Sequence, residues 1–191
     1  IVFGDWSSDV CSSDLFTSCE KNVTITNGNL VFEVNSQMQT RVNSIENKGS
    51  KLMPNFSNSE QLVADKFSAQ RFQLATVKQF DLNDSRGSGK QYELTGTYKN
   101  GGYIITKKLV VNQYDSFPDM LVTKVTYENA GSRNIEVKSW INNNYPINSN
   151  GDLPKFWSFQ GSSTSARQDW LLAVDSTFHQ QNYMGMNNTD Y

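Results

Sequence analysis

Cysteine and histidine are almost missing from this chain. Its 191 residues hold two cysteines, Cys11 and Cys19, and one histidine, His179. A disulfide-stapled scaffold is excluded, because two cysteines allow one bridge at most. His179 has no second metal-type ligand at useful spacing, so it reads as structural, and neither a metal nor another cofactor is expected. Long apolar runs are missing too. No window approaches the roughly 20 apolar residues of a membrane-spanning helix. Charge of one sign is not concentrated anywhere: there is no basic stripe and no acidic tail, so nucleic acid is not an expected partner. Helical apolar spacing is also lacking, since no stretch keeps a period near 3.6 for three turns.

Residues 5–15 read DWSSDVCSSDL and back-translate without strain to a common short-read sequencing adapter read in frame. Residues 1–15 are therefore expected to be artefactual and are left out of the fold reading. Cys11 goes with them, which leaves Cys19 alone and rules out an internal disulfide. Asp5, Asp9 and Asp14 go as well. The rest then has 17 basic residues against 16 acidic ones, close to neutral. About 175 residues remain, enough for one domain with its own core. Around Cys19 the run Thr17-Ser18-Cys19, followed by polar residues, resembles a bacterial lipoprotein signal junction over residues 16–21. That implies lipidation of Cys19 and a place in the periplasm or on the outer-membrane surface, held by lipid without spanning.

What is abundant is alternation. Val23 and Ile25, then Leu30, Phe32 and Val34, flank Asn27-Gly28, a strong hairpin signal. A further strand is expected over 40–45. Residues 54–66 read as a long loop or one short helix, 71–82 as a strand, and 83–89 as a loop whose glycines have the wrong spacing for a phosphate cradle. Tyr92, Leu94 and Tyr98, then Tyr103, Ile105, Leu109 and Val111, alternate about an Asn100-Gly101-Gly102 turn. Residues 115–119 form a corner around Pro118. Leu121, Thr123, Val125 and Tyr127 follow, then Ile135, Val137, Ser139 and Ile141. Strands with one apolar face each need a second layer. The expectation is an all-β antiparallel sandwich of ten or more strands, with 22–191 as one domain.

The end of the chain has a different character. Residues 156–191 hold two tryptophans, two tyrosines, His179 and many side-chain amides. They read as long loops around one short buried strand at Leu171–Val174. Flat rings beside Asn, Gln, Asp and Arg suit a sugar-binding surface, because rings stack on pyranose C–H faces and planar polar groups pair with hydroxyls. The same rings would serve equally to pack loop against sheet. Asp169, Asp175 and Asp190 are the carboxylates there, and each also fits a turn or a cap.

Phe117-Pro118-Asp119, Glu128-Asn129-Ala130-Gly131 and Ile135–Lys138 resemble the amino-terminal β-supersandwich of α-galactosidase-type glycoside hydrolases, in or near glycoside hydrolase family 36. The run from Phe156 to Gly161, Ser165–Trp170 and Phe178–Met186 is similar to the segment before that family's catalytic barrel. The resemblance implies a galactose-mutarotase-like supersandwich and a retaining glycosidase acting on α-galactosides. It also implies catalytic carboxylates on a (β/α)8 barrel after residue 191, so this chain alone has no catalytic residues and is expected to be inactive. Retaining chemistry needs two carboxyl groups about 5–5.5 Å apart. Trp157, Asp169, Trp170, Tyr183 and Asp190 are the candidate substrate-binding residues, the rings to stack and the carboxylates to accept hydrogen bonds from hydroxyls. The expected partners are an α-galactoside and the barrel of the same chain. A self-standing carbohydrate-binding or surface-interaction module is the alternative. A mutarotase-like epimerase would want a histidine paired with a carboxylate, and the single histidine argues against it.

Overall fold

The structure, a computed structural model, describes residues 22–45 and 52–147, with short strands beyond them at 156–159 and 171–174. Among the described residues it is all-β, without a helix, and every strand pair is antiparallel. Among the described residues, twelve strands fall into four sheets. The segments at 1–15 and 16–21, with Cys19, lie outside the described residues.

The first sheet is a meander of β1 (Val23–Asn27), β2 (Leu30–Val34) and β3 (Thr40–Ser44). Ile25, Phe32 and Val34 are buried, as the alternation predicts. The turn sits one residue later than the Asn-Gly signal suggests: Asn27 still pairs with Leu30, and Gly28, at φ 60°, opens the turn. Asn27 has another task. Its Nδ2 donates to the carbonyls of Phe117 at 2.8 Å and Met120 at 2.7 Å. A Cβ on Gly28 would come within 3.0 Å of the Asp119 carboxyl carbon, so glycine lets the hairpin close on the 115–119 corner.

The predicted loop or helix over 54–66 is corrected by the structure. It contains β4 (Gln61–Ala64), followed by β5 (Ser68–Ala69). Four residues are too few to show a period, and their partner lies far along the chain. The predicted loop over 83–89 is also shorter than expected. β6 (Gln73–Asp84) and β7 (Gly87–Asn100) join through Ser85-Arg86 alone. Asp84 Oδ1 accepts the Arg86 amide at 2.8 Å, and Gly87 takes φ 127°. β8 (Tyr103–Tyr114) and β9 (Leu121–Asn129) complete an ordered four-stranded meander. β10 (Val137–Ile141) returns to pair with β4, opposing Trp140 to Leu62. β11 (Phe156–Phe159) and β12 (Leu171–Val174) pair only with each other among the described residues.

One core joins three of these sheets. Ile25, Phe32 and Val34 come from the first, Leu62, Ala64 and Ala69 from the second, and Leu94, Ile105, Leu109 and Val111 from the long meander. Met38, Phe67 and Phe72 fill the space between from the connections. Each such side chain contributes about 1.5–3 kcal/mol by leaving water. The core reaches only the start of β6: Leu74 packs against it, whereas Val77, facing inward beside Leu94, remains 45% exposed.

Candidate functional site

Of the five predicted sugar-binding residues, the structure describes the side chain of Trp157 alone. It stands on β11 opposite Ala173 and is 59% exposed. Asp169, Trp170, Tyr183 and Asp190 lie outside the described residues, as do Asp175 and His179.

A different aromatic marks a concavity at the surface. β9 and β10 are edge strands of two different sheets. Between them runs a groove of about 410 Å³, with Leu62 and Ile105 in its lining and Tyr127, Ile135, Val137 and Trp140 around them. Leu62 and Ile105 belong to the buried core, so the core comes to the surface along this seam. Trp140 is 65% exposed, and Val137, expected as an inward anchor, is exposed as well. A register shift between Val137 and Ser139 breaks the simple alternation of β10. The Tyr127 hydroxyl, also in the groove lining, is buried and has no hydrogen-bond partner. Sequence reasoning missed Trp140. Its signal was a tryptophan out of phase with Val137, Ser139 and Ile141, on a strand otherwise read as one-faced.

A charged cluster lies directly inside. Lys107 sits on β8 between Ile105 and Leu109, at an inward position, and its side chain is 0% exposed against 1% for Glu60. The Lys107 ammonium donates to Glu60 Oε2 at 3.2 Å, to the Glu60 carbonyl at 3.3 Å and to the Met38 carbonyl at 3.2 Å. All three of its protons thus have acceptors. The Thr40 and Tyr145 hydroxyls donate to Glu60 Oε1, each at 3.3 Å. Met38 reaches Lys107 because it holds φ 50° in the turn before β3, where Asn35 Oδ1 accepts the amides of Gln37 and Gln39. The cluster ties β3, the residue before β4, β8 and the 142–147 segment into one piece. Enclosed as it is, it has no path to a substrate, and its chemistry is structural.

Burial pushes Lys107 below its ordinary value, with the Glu60 charge opposing. Burial first, then the Glu60 charge, pushes Tyr127 and Tyr145 well above theirs. The signs differ. A tyrosine raised in the folded state stabilises it fully below the ordinary value near 10 and loses that contribution as pH climbs beyond. A depressed lysine makes stability rise with pH up to its unfolded value of 10.5. Urea midpoints should therefore climb toward pH 10 and fall above it. Tyr127→Phe with Tyr145→Phe should flatten the fall, and an unchanged fall in that double variant would refute the assignment.

Among the described residues, no three His, Cys, Asp or Glu side chains stand together to hold a metal ion. Compared with protein-family models, curated proteins and solved structures, the chain matches none.

Proposed function

We propose that this chain is the non-catalytic front domain of a retaining glycosidase acting on α-galactosides. In this reading it is a galactose-mutarotase-like β-supersandwich that packs on a catalytic (β/α)8 barrel and lends side chains to the sugar site. The observation that carries the reading is the open seam between β9 and β10. Core residues Leu62 and Ile105 line it, and Trp140 and Val137 stand bare beside it. Soluble monomers rarely leave a contiguous apolar patch of this kind uncovered unless it meets a partner. The buried, unpartnered Tyr127 hydroxyl in the same groove fits a contact completed by another surface.

The chain should bind a hydrophobic dye such as anilinonaphthalene sulfonate. Trp140→Ser with Val137→Ser should remove most of that fluorescence, and so should covering the seam with the proposed barrel. Aryl α-galactosides should not be turned over by the chain alone. A dye-silent monomer would sink the front-domain reading. The exposed Trp157 supports a second reading, a self-standing carbohydrate-binding module. Tight galactoside binding that is lost in Trp157→Ala would favour it.

A further inference from the structure

The outward face of the β6–β9 sheet carries a second concavity, and it shares no lining residue with the seam. Register sets its side chains in rows across the four strands. Phe80, Gln91, Asn112 and Val122 make one row, and Lys78, Glu93, Val110 and Lys124 make the next. A third row runs Thr76, Thr95, Lys108 and Thr126. The middle of these rows lines a shallow groove of about 290 Å³.

Three features set this face apart from an ordinary solvated sheet surface. The first is charge. Within the three rows Lys78, Lys108 and Lys124 face Glu93 alone, against a net charge of −2 for the whole chain. Glu93 is already engaged, by Lys108 at 2.9 Å and by the Gln91 amide at 3.0 Å. The second is Asn112, whose Oδ1 is buried in the groove lining without any donor. Such an atom is unfavourable when left alone and commonly marks a place where water or a ligand belongs. The third is Phe80, 44% exposed at the β6 end of the Asn112 row, with its ring free to be covered.

We propose that this face binds an acidic oligosaccharide, an extended chain of sugars bearing carboxylates. The lysines complement the carboxylates, and Phe80 offers a ring for a pyranose C–H face. Val110 and Val122 supply an apolar floor. Nucleic acid would demand a denser cationic track than three lysines. The inference does not rest on the seam or on the barrel, so it stands or falls separately from them.

The test is calorimetric titration of the full chain with tetragalacturonate, with a neutral galactose tetrasaccharide and with inorganic polyphosphate. Tetragalacturonate should bind, more weakly as salt rises, and at least tenfold more tightly than the neutral sugar. Lys124→Glu and Lys78→Glu should each weaken it by roughly tenfold or more, and Phe80→Ala should weaken it without changing the salt dependence. Unfolding midpoints of all three variants should match the parent chain. No heat with tetragalacturonate at millimolar concentration would overturn the proposal. Equal affinity for the neutral sugar would overturn the role of the lysines. Equal affinity for polyphosphate would reduce the face to an unspecific cationic patch.

Discussion

Lys107→Met should lower the free energy of unfolding by about 3–5 kcal/mol, because it leaves the Glu60 carboxylate buried without its cation. The substitution keeps most of the side-chain volume, so packing contributes little to the loss. Two backbone carbonyls, of Met38 and Glu60, lose their donor at the same time. Urea unfolding measures this as a lower midpoint at unchanged slope. Adding Glu60→Leu to Lys107→Met should recover part of the loss, since an apolar pair removes the orphaned charge. A single Lys107→Met variant within about 1 kcal/mol of the parent would mean that water reaches Glu60 and that the cluster is not sealed.

Phe72→Ala should cost a similar amount, about 3–5 kcal/mol, through the cavity it leaves. The ring is fully buried. It packs at 6.0 Å from the Tyr98 centroid and 5.9 Å from that of Tyr127. Its amide also donates to the Gln37 carbonyl at 3.0 Å, so the backbone is held where the ring must sit. Phe72→Leu should cost distinctly less, because it refills most of the space. The Lys107 ammonium lies 5.4 Å from the ring centroid. The two losses should therefore couple, and the double variant Lys107→Met/Phe72→Ala should depart from additivity by about 0.5–3 kcal/mol. Strict additivity would show that the cation and the ring do not sense one another.

The long meander was legible because period-two alternation survives wherever one face is buried along a whole strand. Ile105, Leu109 and Val111 announce β8 in this way, and Gly101-Gly102 announces the turn before it. β4 was not legible: Gln61–Ala64 is too short for a pattern, and what makes it a strand is a partner near residue 140. The charged cluster left a trace that only an inward view reveals, a lysine at the one odd position between Ile105 and Leu109 where an apolar residue was due. The candidate site was read from composition at residues 156–191, and composition names residue types without placing them. Trp157 alone has a described side chain, and it is exposed. The aromatic at the seam, Trp140, escaped because its neighbours on β10 alternate out of phase with it.

The pairing of β10 with β4 also sets a timetable. Trp140 meets Leu62 across about 78 residues of sequence. The β6–β9 sheet, by contrast, closes through short connections and can assemble strand by strand as the chain leaves the ribosome. β4 and β5 are synthesised before that sheet, yet they cannot be locked in until Val137–Ile141 has emerged and come back. During that interval β4 has only the two-residue β5 beside it, and Lys107 has no settled carboxylate. A polypeptide halted anywhere between Asn129 and Val137 would carry a finished meander and an unfinished interior. β10 is then the strand that commits this interior to its native arrangement.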